Sequence, residues 1–182
     1  MTHSGTALVD PYKIFDKITL SPGKRVADLG CGRTGHFVFP AAKTVGERGI
    51  VYAVDVVKDV LESIKSMARD EGYDNVHVVW SDIELRGKTP IPDKTLDACF
   101  MMNVLFLLKN KAGAIKEAAR MLAKDGRLVI TDWAKQIGLL GPKPEAMVLP
   151  QQAIELAKQE GLELVEKIDW DYNYSLVFKK MV

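Results

Sequence analysis

The stretch Val26-Ala27-Asp28-Leu29-Gly30-Cys31-Gly32-Arg33-Thr34-Gly35-His36 constrains this chain more than any other. An apolar run reads as a strand, the glycines as a turn, and a helical pattern opens beyond them. Glycine is needed where the backbone takes positive φ or must lie close to a ligand, because a Cβ would collide. At a strand-to-helix corner, glycines also let the free N–H groups of the helix start point past the strand end. Asp28, two residues before the first glycine, puts a carboxylate at that corner. That charge repels a pyrophosphate, whereas it suits an ammonium or a loop whose own amides need an acceptor. The spacing Gly30-x-Gly32-x-x-Gly35 alone also fits a surface turn. The rest of the chain decides.

With 182 residues, 47% of them hydrophobic and 27% charged, the chain is long and apolar enough for one domain with a full core, residues 1–182. Its net charge of +1 gives no electrostatic basis for binding nucleic acid or an anionic membrane surface. Cys31 and Cys99 are too few for a disulfide framework and suit a reducing cytoplasm. Met1 to Gly5 lack the basic region and apolar run of a signal peptide. The longest apolar stretch, Leu96 to Leu108, reads as a buried strand rather than a membrane span. His3, His36 and His77 have no metal-ligand spacing with each other or with the cysteines, so no metal site is expected.

In chain order, Asp10-Pro11 leads a short amphipathic helix through Ile14, Phe15 and Ile18, so that residues 1–20 form either a packing segment or a lid over a ligand. Arg25 to Leu29 is the first strand, and Phe37 to Val45 is helical with Pro40 confined to its first turn. Ile50 to Asp55 is an apolar run of parallel-strand type. Val57, Val60, Leu61, Ile64 and Ala68 recur at helical spacing, and Gly72 stops that helix. Val76 to Trp80 and Leu96 to Met102 are the third and fourth strands, separated by a polar loop with Pro90 and Pro92. A helix over Ile115 to Leu122 precedes the turn Asp125-Gly126 and a fifth strand, Arg127 to Ile130. Residues 134–148, with Gly138, Leu139 and Leu140, form the longest irregular stretch, the kind of loop that is usually functional or mobile. After a last helix, Pro150 to Gln159, two strands follow at Leu162–Ile168 and Tyr172–Lys179. The link between them is too short for a crossover, so they pair as an antiparallel hairpin. Alternating strands and helices imply an α/β fold with a doubly wound, mostly parallel sheet.

Ligands of such sheets lie beyond the carboxyl ends of the strands. Each predicted corner carries a polar residue: Asp28 after strand one, Asp55 after strand two, Asp82 after strand three, Asn103 after strand four, and Asp132 with Trp133 after strand five. Asp55 stands 20 residues beyond Gly35, a distance at which an acid reaches a ribose diol.

On these residues the chain resembles the class I S-adenosylmethionine-dependent methyltransferases over nearly its whole length, roughly residues 8–180. Val26–Gly32 resembles the family's first motif, Val51–Asp55 the second, Ser81-Asp82-Ile83 the third and Leu96–Asn103 the fourth. Leu122 to Ile130 resembles the signature leading into strand five. The resemblance implies a Rossmann-like seven-stranded sheet in the order 3-2-1-4-5-7-6 and S-adenosylmethionine as cofactor. It also implies a set of cofactor-binding positions: Asp28, Gly30, Cys31, Gly32 and Gly35 at the methionine end, Asp55 on the ribose, Asp82 on the adenine amino group, Val56 and Ile83 about the ring, and Asn103 near the methionine. One departure is that the family usually reads Gly-x-Gly-x-Gly, while Arg33 and Thr34 stretch it here to the dinucleotide spacing. Asp28 and the terminal hairpin weigh against a nicotinamide oxidoreductase.

Transfer from a sulfonium needs alignment and exclusion of water more than acid–base help. Tyr12, His36, Asn103, Asp132 and Trp133 are the candidates near the methyl, although taken singly His36 reads as a solvent-facing helix start and Trp133 as a core aromatic. No triad or carboxylate pair is legible, so the catalytic residues stay unassigned. The pattern is closest to the small-molecule branch that includes quinone-biosynthesis C-methyltransferases. An arsenite enzyme would need cysteines beyond Cys31 and Cys99, and an amino-directed nucleic-acid enzyme would carry Asn-Pro-Pro-Tyr where this chain has Asn103-Val104-Leu105-Phe106. The expected acceptor is therefore a small, apolar molecule bound between Tyr12, Trp133 and the 134–148 loop. A non-catalytic partner subunit that merely binds the cofactor is the other reading. Oligomeric state has no signature.

Overall fold

Unbroken apolar runs need cover on both faces, and the computed structural model, which describes residues 9–137 and 141–182, gives them that cover. The strands are β1 (Arg25–Leu29), β2 (Ile50–Asp55), β3 (Val76–Trp80), β4 (Leu96–Met102), β5 (Leu122–Trp133), β6 (Leu162–Asp169) and β7 (Asn173–Lys180). They form one sheet in the order β3-β2-β1-β4-β5-β7-β6. β1 to β5 run parallel, and β7 runs antiparallel to both β5 and β6. Order and hairpin are those expected. His3, the rest of 1–8, Gly138, Leu139 and Leu140 lie outside the described residues.

Side chains alternate across a strand, and the sheet sorts them accordingly. Val26, Ala53, Phe100 and Val129 face α1 (Pro11–Ile18), α2 (Val38–Val45) and α3 (Lys58–Glu71). Ala27, Val54, Cys99, Met101 and Leu128 face α4 (Lys111–Met121) and α5 (Pro150–Gln159). In α1, Ile14 and Phe15 are buried, and Phe15 packs on Phe37 and Phe100 with ring centroids 5.8 and 5.5 Å away. Gly72 closes α3 in the left-handed conformation (φ 75°), as its sequence position predicts.

Two boundaries move. The fifth strand begins at Leu122 and ends at Trp133, well outside Arg127–Ile130. Leu96 pairs with Leu122 while Ala98 pairs with Arg127, so the intervening residues bulge. Asp125 takes a left-handed φ of 64° and pairs with Lys179 at 2.7 Å. The Asp125-Gly126 signal marks a bulge inside a strand, not a turn before one. The hairpin strands are likewise displaced by one residue at their ends, leaving Trp170-Asp171-Tyr172 as the link.

The polar loop between β3 and β4 is irregular and is clamped from α4. Buried Glu117 accepts from Gly87 N–H (2.6 Å), Thr89 N–H (3.0 Å) and Arg120, whose own guanidinium donates to the carbonyls of Thr89 and Ile91. No helix of the described residues is long and apolar enough to cross a membrane.

Candidate cofactor and active site

The first corner is built by close approach. Gly30 (φ 81°) and Cys31 both donate their N–H to the carbonyl of Val54, at 2.8 and 3.1 Å, which folds the loop over β2. A Cβ on Gly30 would lie 2.6 Å from a Val104 methyl. Gly32 (φ 64°) has open space where a Cβ would stand and donates to the Asp55 carboxylate at 3.3 Å. Gly35 differs. It also has positive φ, but its Cβ would strike Phe39 at 2.6 Å and Ile64 at 2.9 Å, and it does not line the cavity. Its need for glycine comes from packing between the turn and α3.

The corners of β1 to β4 open onto one cavity of about 730 Å³, within the ~300–1,000 Å³ usual for small-molecule sites. Of the ten candidate positions, Asp28, Gly30, Cys31, Gly32, Asp55, Val56, Asp82, Ile83 and Asn103 line it. Glu84 adds a fourth carboxylate, and among the described residues no lysine or arginine lines the cavity. Asp28 is 3% exposed, and its Oδ1 has no hydrogen-bond partner among the described residues. Burial, reinforced by the neighbouring Asp55, pushes its carboxyl up to about 7. The same burial, with Asp28 and Asp55 close by, pushes the Cys31 thiol up, so it stays protonated. Asp55 is held squarely: Oδ1 accepts from Val57 N–H at 2.9 Å and Oδ2 from Gly32 N–H. Each of its oxygens keeps a lone pair for a ligand donor. Asp82 is steadied by Glu84 N–H at 2.9 Å.

The remaining wall is apolar. Val56 is 53% exposed on the cavity rim, and its carbonyl accepts from the Trp80 indole at 2.9 Å, with Lys58 stacked over that ring. Ile83 stands beyond it, and Val104, Leu107 and Leu108 continue the apolar wall past Asn103. Asn103 has a left-handed φ of 54°, a conformation asparagine tolerates better than most residues. His36 also lines the cavity, but its Nε2 is engaged with the carbonyl of Val9 at 2.9 Å.

Three candidates do not join the site. Tyr12 is half exposed and off the cavity wall. Trp133 is buried under Gly141, and Asp132 is fully buried, accepting from Trp133 N–H and Phe106 N–H. Burial outweighs those two bonds and raises Asp132 to about 6. Sequence reasoning missed Glu84, Val57 and Leu107, which sit within four residues of named positions, and Asn173, which does not. Asn173 opens β7 opposite Trp133, and its Nδ2 donates to Asn103 Oδ1 at 2.8 Å. Its only advance signal was the hairpin, since an antiparallel strand beside β5 must begin where β5 ends.

A family model described as a methyltransferase domain matches residues 20–173. Among solved structures, a SAM-dependent methyltransferase from Aquifex aeolicus superposes with a TM-score of 0.87 at 27% identity, covering 98% of this chain and 93% of that one. Among curated proteins, an aklanonic acid methyltransferase from a Streptomyces species is 30% identical over 85% of this chain and 66% of its own length. A ubiquinone/menaquinone biosynthesis C-methyltransferase from Vibrio cholerae is 32% identical over 69% of this chain and 49% of its own. The chain thus spans between about half and two-thirds of these two curated relatives. With a family match over most of its length and the sheet order that goes with it, the chain belongs to the class I S-adenosylmethionine-dependent methyltransferases.

Proposed function

We propose that this domain binds S-adenosylmethionine in the corner cavity and transfers its methyl group to a small, largely apolar acceptor. The observation that carries the reading is the orphaned Oδ1 of buried Asp28 at the glycine turn. An acceptor buried without a donor is a standing cost, and a ligand ammonium brings both the proton and the charge to relieve it. Asp55 then receives the ribose hydroxyls on its free lone pairs. Val56 and Ile83 enclose the adenine, Asp82 receives its amino group, and Gly30, Cys31 and Gly32 let the methionine chain lie against backbone. Four carboxylates, with no lysine or arginine among the described lining residues, suit that ligand and repel the pyrophosphate of a dinucleotide.

The cofactor supplies a methyl on a sulfonium, whose bonding pair stays on sulfur as the thioether leaves. The chain's part is to orient and to dry the site. Val104, Leu107 and Leu108 supply the apolar wall beside Asn103 that excludes water and admits an apolar acceptor in line with the methyl. A neutral acceptor releases its proton to solvent after transfer, so no residue is assigned as base.

Titration calorimetry with S-adenosylhomocysteine tests the reading. Binding to the wild type, lost in Asp28→Asn, is expected. Tight binding of NAD with none of S-adenosylhomocysteine would overturn it, and methyl incorporation into bulk RNA or DNA would overturn the small-molecule acceptor.

A further inference from the structure

Four of the buried polar residues, Thr131, Asp132, Asn173 and Ser175, are fully buried side by side where β5 ends and β7 begins. Two of them explain each other: the hydroxyls of Thr131 and Ser175 are hydrogen-bonded at 2.6 Å, and the Trp170 indole donates to Ser175. Asn173 is not explained by the fold. Its Oδ1 is buried without a partner among the described residues, while its Nδ2 makes two bonds, to Asn103 Oδ1 at 2.8 Å and to the backbone carbonyl of Asp132 at 3.2 Å.

The direction of this relay is fixed. The Asp132 carbonyl can only accept, so the amide of Asn173 must turn Nδ2 toward it; the reverse orientation would set two oxygens against each other. Nδ2 of Asn173 then also faces Asn103 and can only meet its Oδ1. Asn103 is thereby locked with Oδ1 inward, which leaves Nδ2 as the polar group it offers. Among the described residues nothing accepts from that Nδ2, and Asn103 lines the cavity beside the apolar wall of Val104, Leu107 and Leu108.

We propose that Asn173 is a positioning residue that sets Asn103 as a hydrogen-bond donor to the methyl acceptor, and hence that the acceptor is an apolar molecule bearing a hydrogen-bond-accepting oxygen. This rests on the cofactor reading above and deepens it by naming what the acceptor must carry. Asn103 touches the acceptor; Asn173 acts only through Asn103. The antiparallel strand is what makes the arrangement possible, because its first residue lies beside the ends of β4 and β5, in reach of Asn103 and Asp132.

The test is a double-mutant cycle read by binding of a naphthol, with naphthalene as the oxygen-free control, to protein saturated with S-adenosylhomocysteine. Asn173→Ala should weaken naphthol roughly five- to tenfold, the worth of one neutral hydrogen bond, and should leave naphthalene unchanged. In an Asn103→Ala background the same change should cost nothing further, because the residue it acts through is gone. Equal losses in both backgrounds, or equal losses for naphthol and naphthalene, overturn the proposal. Asn103→Asp provides a second arm that keeps the bond from Asn173 but replaces the offered donor by an oxygen. With methoxynaphthalene, whose ether oxygen accepts but cannot donate, it should lose the ether and keep naphthalene, and retention of the ether overturns the proposal even if Asn173→Ala does not fold. Failure of the wild type to bind S-adenosylhomocysteine is a different result, because it removes the cofactor reading and this inference together.

Discussion

Glu117 on α4 and Asp28 at the end of β1 are both buried carboxylates, 0% and 3% exposed, yet one is saturated with donors and the other has an oxygen with none among the described residues. Glu117 takes two backbone N–H groups and a forked pair of bonds from Arg120, at 2.8 and 2.7 Å, which hold its carboxyl down at about 2 despite burial. Asp28 is pushed the opposite way, to about 7. The chain completes a buried charge where that charge pins its own loop, and leaves one incomplete at the corner where the proposed ligand would finish it. Local stability and ligand binding thus make opposite demands on the same chemical group.

Substitutions separate the two. Glu117→Ala leaves buried Arg120 only Asp93 and the Thr89 and Ile91 carbonyls and strips the β3–β4 loop of both its bonds to the carboxylate, so unfolding stability should drop by about 3 kcal/mol. Because its carboxyl is depressed below its ordinary 4.5, the stability it contributes is present above that pH and fades as pH falls toward 2. Chemical denaturation at neutral pH reads the effect, and a loss under about 1 kcal/mol, the scale of an exposed pair, would break the comparison. Asp28→Asn should do the reverse. The folded carboxyl is raised from 3.8 to about 7, so between those values the unfolded chain holds fewer protons and wild-type stability declines as pH rises. Removing the charge should stabilise the ligand-free protein by roughly 2–4 kcal/mol above pH 7 and by nothing below pH 4, while abolishing S-adenosylhomocysteine binding. In the wild type, calorimetric affinity should climb up to about tenfold per pH unit as pH approaches 7 from below, and a flat profile over that range would break the link between Asp28 and the ligand.

Asp55→Ala sits between the two cases, since its carboxylate is bonded to backbone yet faces the cavity. Affinity for S-adenosylhomocysteine should weaken by about 1–3 kcal/mol. The smallest effect is expected at Gly35, where alanine meets Phe39 and Ile64 in a left-handed conformation. It should cost about 1–2 kcal/mol of stability and leave ligand affinity within twofold. A loss of affinity without a change in melting temperature would return Gly35 to the binding site.

The sequence made legible whatever is carried by local pattern. Apolar runs gave the parallel strands, their polar ends gave Asp28, Asp55, Asp82 and Asn103, and the family resemblance added Gly30, Cys31, Gly32, Val56 and Ile83 to the positions that line the cavity. What escaped depends on pairing across long separations. Glu117 reads as an exposed charge on a helix until the loop that holds Gly87 and Thr89 folds back onto it. Asn173 is an ordinary strand residue until β7 settles beside β5. Trp133 and Asp132 follow a strand end as their neighbours in the site do, but β5 lies one strand beyond the wall, and their side chains are spent on Gly141 and Phe106. Gly35 matched a spacing, whereas its reason for being glycine lies in side chains the spacing does not mention.

The reversed final strand also ties the site to the order in which the chain is made. Synthesis delivers Asp28, Asp55, Asp82 and Asn103 well before residues 162–180, so a growing chain carries these cavity corners while β5 still has a bare outer edge. Until β7 pairs there, Asn103 is free to turn either face of its amide outward, and the open strand is exposed to other chains. Pairing of β7 thus covers the outer edge of β5 and, if Asn173 orients Asn103 as proposed, sets the polarity of the pocket in the same step.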